Sequence, residues 1–128
     1  MKNLVRLSCV AILLLGVGAC KVVGLRNPDP IVAASSPDAT SSAIKKALSH
    51  RGWLVAKEEP GKVYATLHLR VHTAKILISY DADRVSIQYV DSDKLKYRKD
   101  KNGREYIHKN YNSWIKNLLK DISKYSSE

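Results

Sequence analysis

The sequence predicts an α+β fold, in which a four-stranded antiparallel meander carries an N-terminal and a C-terminal helix on one face. Three stretches between residues 62 and 90 alternate apolar and polar side chains with a period of two, which is typical of strands buried on one side. The links between them are short, as in an antiparallel meander. An amphipathic segment on either side of these strands needs an apolar surface to cover, and the sheet offers one. The predicted order of elements is α-β-β-β-β-α.

The first helix is predicted over residues 37–51. Ser36 is a favourable N-cap, Pro37 suits the first helical position, and Asp38 places an acid in the first turn. Gly52 can end the helix, because glycine readily adopts the left-handed backbone that follows a helix. The apolar stripe consists of Ala43, Ile44, Ala47 and Leu48. We expect this stripe to face the sheet.

Four strands are predicted, over residues 53–58, 62–72, 73–80 and 84–90. The second strand shows the clearest alternation. Its predicted buried face is formed by Val63, Ala65, Leu67, Leu69 and Val71. Its predicted exposed face carries Tyr64, Thr66, His68, Arg70 and His72. The next two strands are expected to bury Ala74, Ile76, Ile78, Val85, Ile87 and Tyr89.

The last part of the chain contains a polar stretch and a second helix. Residues 91–108 include Asn102-Gly103, a strong turn signal, and form either a loop or a short hairpin with arms at 95–98 and 105–107. The helix is predicted over residues 111–124. Its apolar residues recur at helical spacing at Tyr111, Trp114, Ile115, Leu118, Leu119 and Ile122.

The N-terminus has the features of a secretory signal peptide. Lys2 and Arg6 flank the start of an apolar run over residues 7–15, which is shorter than the ~20 residues that cross a bilayer. The run leads to a motif that resembles the lipobox of bacterial lipoproteins, Val17-Gly18-Ala19-Cys20. The resemblance implies a signal peptide of residues 1–19, diacylglycerol on the thiol of Cys20 and an acyl chain on its freed amine. The alternative is an ordinary secreted protein with a chance cysteine near the cleavage site.

The same resemblance bears on location. In lipoproteins of enteric-type bacteria an Asp after the lipidated cysteine favours the inner membrane, whereas Lys21 follows Cys20 here. The resemblance therefore implies an outer-membrane anchor with the folded part facing the periplasm, and exposure at the cell surface is the alternative. Residues 20–35 show no sustained apolar period, and we expect them to form the lipidated cysteine and a flexible tether. Residues 36–128 then form a single domain.

Four further motifs resemble a recurrent group of small proteobacterial lipoproteins. They are Arg51-Gly52-Trp53, Ala65-x-Leu67-x-x-Arg70-x-His72, Ser86-Ile87-x-Tyr89-x-Asp91-Ser92 and Ile107-His108-x-x-Tyr111-Asn112-x-Trp114-Ile115. This resemblance spans about residues 43–122 and implies the fold and the location. It supplies no catalytic residue.

The composition favours binding over catalysis. Without residues 1–19 the chain carries 20 lysine and arginine residues and 12 acidic ones, a net charge of +8, which suits polyanionic neighbours. No nucleophile motif is present, and no thiol besides Cys20 is left for catalysis or a disulfide. His68 and His72 would lie roughly 13 Å apart along one strand, too far to share a metal ion. We therefore expect no enzyme activity, no metal or other cofactor besides the lipid, and no nucleic-acid partner.

The densest candidate for binding is the basic segment, residues 94–106. Its predicted binding residues are Lys94, Lys96, Tyr97, Arg98, Lys99, Lys101, Arg104 and Tyr106. The cations can grip anionic groups, and the tyrosines add flat apolar contacts. The alternative is a solvated edge hairpin whose lysines prevent pairing between sheets. The exposed strand face offers a weaker candidate surface at Tyr64, His68 and Arg70.

These observations lead to three hypotheses about function. The first is a lipid-anchored envelope lipoprotein that acts as a non-catalytic binding or accessory module for another envelope protein. The second is a binder of envelope polyanions, lipopolysaccharide or peptidoglycan, through residues 94–104. The third is a small envelope enzyme. Salt should separate the first two, because polyanion binding weakens as ionic strength rises, whereas an interface with an apolar centre persists.

Overall fold

The structure is a computed structural model that describes residues 21–128. It contains two helices and two antiparallel sheets of five and three strands, which confirms the α+β class. The predicted signal peptide and the predicted lipidation of Cys20 fall on residues 1–20, outside the described residues. Neither helix in the described part is long and apolar enough to span a membrane.

The elements follow one another in a simple order along the chain. The helices are α1 (Pro37–His50) and α2 (Lys109–Ser126). The strands are β1 (Val22–Gly24), β2 (Ile31–Val32), β3 (Leu54–Glu59), β4 (Lys62–Leu69), β5 (His72–Tyr80), β6 (Arg84–Asp93), β7 (Arg98–Lys99) and β8 (Glu105–His108).

The main sheet has the strand order β2-β6-β5-β4-β3. Strands β3 to β6 run in succession, each antiparallel to the next. The prediction of four strands is incomplete, because β2 adds a fifth along the free side of β6, where Ile31 pairs with Val85. A strand of two residues has no periodicity that a sequence pattern could reveal.

A second, small sheet has the order β1-β8-β7. The polar stretch forms the hairpin alternative rather than the loop, since β7 pairs with β8 across the turn at Asn102-Gly103. Strand β1 pairs along the other side of β8, so that Val22 lies opposite His108. The start of the described chain is thereby joined to the start of α2.

Residues 21–35, which the sequence predicts to be a flexible tether, are instead attached along much of their length. Besides the strands β1 and β2, the Leu25 amide donates to the Glu105 carbonyl and the Ala33 amide to the Asp83 carbonyl, both at 2.9 Å. Leu25, Ile31 and Ala33 also pack on the core. These scattered apolar residues lack a period, which is why their burial could not be read from the sequence.

The helices begin close to their predicted positions. The hydroxyl of Ser36 accepts the amide of Ala39 at 3.1 Å, as expected of the N-cap of α1. Helix α2 begins at Lys109, two residues before the prediction, because His108 caps it by accepting the Asn110 amide on Nδ1 at 3.2 Å. The two helices are linked by a bidentate ion pair, in which Arg51 donates to Asp121 at 2.6 and 3.1 Å.

One hydrophobic core joins both helices to one face of the main sheet. Its largest fully buried side chains include Ile44, Leu48, Ile76, Ile78, Ile87, Leu95, Ile107, Tyr111, Ile115, Leu118 and Ile122. The alternating residues Val63, Ala65 and Leu67 are buried as predicted.

The predicted alternation fails at the end of β4. Leu69 and Val71 are 43% and 69% exposed, because the strand ends at Leu69 and the chain turns back at once. Arg70 lies in this turn with a φ of 58° and not on a strand face. His72 begins β5 instead of ending β4.

Candidate functional site

The basic segment follows β6 and contains the hairpin β7–β8. Its start is anchored in the fold, because Leu95 is 1% exposed and packs in the core. The carbonyl of Leu95 accepts the amide of His108 at 2.8 Å. The segment is therefore fastened to the rest of the fold beside its first two lysines, Lys94 and Lys96, which are both exposed.

The two tyrosines of the basic segment are engaged within the protein. Tyr97 stacks on Tyr89 with a centroid distance of 4.6 Å, and its hydroxyl donates to Glu105 at 2.5 Å. The hydrogen bond to Glu105 and partial burial raise the pKa of Tyr97 to about 12. Tyr106 lies under the guanidinium of Arg98, 4.3 Å from its centroid. Free aromatic surface for a ligand is thus smaller than the sequence predicts.

Asp100 fixes the turn of the hairpin. Its Oδ1 accepts the amides of Asn102 and Arg104 at 2.8 and 3.0 Å, and its Oδ2 accepts the Tyr106 hydroxyl at 3.3 Å. Gly103 takes a φ of 81°, a left-handed value that glycine adopts without strain. The turn therefore holds Lys99, Lys101 and Arg104 on a fixed scaffold.

Five of the six cations of the basic segment fall into two groups. Lys99, Lys101 and Arg104 surround the turn, at the end of β8 that begins with Glu105. Lys94 and Lys96 lie near the opposite end of β8, since the intervening Leu95 is bonded to His108. Among the described residues, none of the segment's lysines or arginines forms an ion pair.

The structure places two histidines and a tryptophan beside the second group. The ring of His72 lies 6.2 Å from that of His108 and 6.3 Å from that of Trp114. The Nδ1 of His72 donates to the Lys94 carbonyl at 2.9 Å. Three separate elements supply these residues, so no local signal in the sequence indicates that they meet.

More cations surround this group than the sequence suggests. The Lys109 amide donates to the Lys21 carbonyl at 2.9 Å, which brings both residues to His108. Burial lowers the pKa of His108, and the positive charges of Lys96, Lys109 and Lys21 lower it further, together with His72. Neither Lys21 nor Lys109 belongs to the predicted site.

The weaker predicted surface is divided by the fold. Tyr64 and His68 remain on the sheet face opposite the core, where Tyr64 lies 5.6 Å from the Lys57 ammonium. The Nδ1 of His68 lies 3.2 Å from the Thr73 hydroxyl. Arg70 leaves this face because it lies in the β4–β5 turn. The three residues therefore do not form one surface.

The outer edge of β3 is a feature that the sequence prediction missed. Strand β3 is the last in the order of the main sheet, so that one side of its backbone has no neighbouring strand in the described part. Leu54 and Val55 are 62% and 43% exposed there. The apolar run at residues 53–56 is visible in the sequence, but the sequence gives no order of strands and so does not show that this run lies at an edge.

An open groove of about 630 Å³ lies between the loop at residues 25–29 and α2. Asn112 in its wall is already bonded, donating to the Gly24 carbonyl at 2.9 Å and accepting the Arg26 amide at 3.1 Å. Among residues 21–128 no group of three histidine, cysteine or acidic side chains is arranged to hold a metal ion.

Comparisons of the chain with protein-family models, with curated proteins and with solved structures found no significant match. Function is therefore inferred from the chain's own sequence and geometry.

Proposed function

We propose that this chain is a lipid-anchored protein of the bacterial outer membrane, that it faces the periplasm, and that it acts without catalysis by binding another envelope protein. The leader and the lipobox-like motif ending at Cys20 support the anchor. The exposed edge of β3 supports the binding role and is the observation on which that role depends.

An edge strand offers unpaired backbone donors and acceptors to a strand of another protein. Strand β3 is six residues long, and its N-terminal half is apolar and exposed at Leu54 and Val55. Its C-terminal half is charged, with Glu58 paired to Lys45 of α1 and Glu59 paired to Lys57 of the same strand, each at 2.9 Å. The partner strand is therefore expected to meet the half of β3 that begins at Leu54.

A bulge limits the length over which a partner strand can pair along this edge. The pairing of β3 with β4 shifts its register between Val55 and Lys57. Bulges and edge charges disrupt the long flat ladder that indiscriminate pairing of sheets requires. A short partner strand can still pair on the N-terminal side of the bulge, where the apolar side chains add contact area.

Photo-crosslinking in cells tests the binding role. A photoreactive residue at Val55 should give a discrete protein adduct, whereas one at Lys75, exposed on the central strand β5, should give none. Absence of any protein adduct at Val55, or equal adducts at both positions, would contradict strand addition at β3.

Membrane fractionation tests the anchor. The Cys20→Ser variant loses the thiol that would carry diacylglycerol, so it should leave the outer-membrane fraction. A single short lipid chain binds a bilayer only marginally, whereas two or more hold it firmly. If the variant co-fractionates with the membrane as the unaltered protein does, the lipid anchor is excluded.

Binding of envelope polyanions is the second candidate, through residues 94–104. It is favoured by one observation, the absence of ion pairs to these cations within the described residues. Phosphates of lipopolysaccharide and carboxylates of peptidoglycan are the corresponding ligands. Such binding should weaken strongly between 50 and 500 mM salt, because screening shortens the reach of exposed charges. Capture that is unchanged over this range would exclude it.

A further inference from the structure

We propose that one end of the fold lies directly on the anionic surface of the bilayer and binds phospholipid head groups there. This end, the basic end, comprises Lys21, Arg70, Lys94, Lys96 and Lys109. The inference rests on the proposed lipid anchor at Cys20, and it adds the orientation of the protein and the class of lipid that it contacts.

The first argument is the position of Lys21, the residue after the proposed lipidated cysteine. Lys21 follows Cys20 directly, and its carbonyl accepts the Lys109 amide at 2.9 Å. Strand β1 begins at Val22 and pairs with His108. A lipid on Cys20 is thus separated from ordered sheet by about one residue, or roughly 3.5 Å of chain. The end of the fold around Lys21 must therefore stay close to the bilayer.

The remaining cations of the basic end lie near His108, as Lys21 does. His72, whose ring lies 6.2 Å from that of His108, follows the turn that holds Arg70. The Lys94 carbonyl accepts from His72 at 2.9 Å, and Lys96 lies one residue beyond the buried Leu95. The β4–β5 turn and residues 94–96 therefore lie at the same end of the fold as Lys21.

Charge at this end is complementary to an anionic bilayer. Two carboxylates are near, Asp93 opposite Thr73 and Asp91 opposite Lys75. The five cations of the basic end outnumber them, and none forms an ion pair within the described residues. Lysine and arginine near the surface of an anionic membrane are attracted to it, over about the Debye length.

The β4–β5 turn also presents apolar side chains. Leu69 and Val71 flank Arg70 and are 43% and 69% exposed. Aliphatic side chains beside cations are typical of surfaces that enter the boundary between head groups and acyl chains, because the cations meet phosphates while the aliphatic groups leave water. Contact with the bilayer accounts for the exposure of these two large apolar side chains, which lie outside the core.

Backbone conformation supplies a further observation. Within the described part, the non-glycine residues with positive φ are Arg70, Lys94 and Lys96, at 58°, 61° and 56°. All three are cations of the basic end. Glycine would take these conformations without the clash of a Cβ atom. Long cationic side chains at strained positions are expected where the side chains themselves have a role.

The test is photo-crosslinking of the full chain in cells, with a diazirine residue at Val71 and, as a control, at Asn102 in the hairpin turn. The membrane fraction is isolated first, which reports separately on the anchor. Irradiation should give a phospholipid adduct, identified by mass, at Val71 and not at Asn102. In vesicles, the purified lipidated protein should give this adduct with phosphatidylglycerol and little with phosphatidylcholine alone.

A matched pair of charge variants sharpens the test. The variant Arg70→Asn, Lys94→Asn, Lys96→Asn keeps residues that tolerate positive φ but removes three charges. Each cation strengthens contact with the anionic bilayer about fivefold, so loss of three cations should weaken the contact of the basic end with the bilayer roughly 100-fold. The lipid adduct at Val71 should then fall to background. The variant Lys99→Asn, Lys101→Asn, Arg104→Asn removes the same charge from the turn and should leave the adduct unchanged.

The outcomes distinguish this inference from the proposed function. Membrane-bound protein with no lipid adduct at Val71, or with equal adducts at Val71 and Asn102, would overturn the orientation and leave the anchor standing. A glycan or protein adduct at Val71 would overturn it as well. Protein that is missing from the membrane fraction would overturn the anchor, and the orientation with it.

Discussion

Replacement of Leu95 by alanine tests the most direct conflict between the sequence pattern and the structure. The sequence places Leu95 in a polar stretch and Leu69 on the buried face of a strand. The structure reverses these environments, since Leu95 is 1% exposed and Leu69 is 43% exposed. The two leucines have the same chemistry, so that a difference in their effect on stability reports on burial alone.

The size of the effect follows from burial. Leucine to alanine in a core costs about 2–5 kcal/mol, as lost transfer energy plus a cavity. Leu95 is fully buried in the core, and we expect about 3 kcal/mol, within this range. Leu69→Ala should change the free energy of unfolding by no more than about 0.5 kcal/mol, because its side chain is half in solvent.

Urea unfolding followed by tryptophan fluorescence and by circular dichroism measures both values. At about 3 kcal/mol, the Leu95→Ala variant should also melt roughly 10–20 °C lower than the unaltered protein. Equal destabilisation by the two substitutions would refute the reasoning. So would a Leu95→Ala variant within about 0.5 kcal/mol of the unaltered protein, since the basic segment would then not be fastened to the core.

Three further predictions concern charge and backbone. Asp121→Asn should destabilise the fold by about 1–2 kcal/mol at pH 7, because it breaks a charged hydrogen bond. The hydrogen bond from Arg51 lowers the pKa of Asp121 in the folded protein, so this stabilisation is present above about pH 4 and is lost as the pH falls through the folded-state pKa. The urea midpoints of the unaltered protein and of Asp121→Asn should therefore converge at acidic pH. Burial lowers the pKa of His108 as well, so its contribution to stability is complete above about pH 6.5 and declines on acidification. The variant His108→Asn keeps an acceptor for the helix cap and should remove the corresponding decline in melting temperature. Lys94→Gly should raise stability by about 0.5–1 kcal/mol through relief of a positive φ, whereas Lys99→Gly, in a strand, should lower it by a similar amount in urea unfolding.

The sequence predicts those parts of the fold that carry their own local signal. Ser36 and Pro37 locate the start of α1 because capping depends on adjacent residues. The period of two locates β4 to β6 because each strand is long enough to show it. Strands β1 and β2 are too short for a period, and their partners lie far away in the chain, so only tertiary structure defines them.

The candidate site is predicted in composition but not in arrangement. The cations at residues 94–104 are exposed as expected, but Tyr97 and Tyr106 bond to Glu105 and Asp100 within the protein. A tyrosine has the same sequence signature whether its ring meets a ligand or a neighbouring strand. The basic end draws residues from four places in the chain, so its assembly depends on topology that no local pattern contains.

The two proposed surfaces constrain each other through β4. Leu54 pairs with Thr66, and Leu69 at the end of β4 is three residues further on, or about 10 Å along the strand. If the β4–β5 turn rests on the bilayer, the apolar half of β3 lies close above the head groups. A partner strand must then reach β3 close to the membrane surface, which favours a partner that is itself membrane-bound. A partner whose binding strand is surrounded by a bulky soluble domain is excluded.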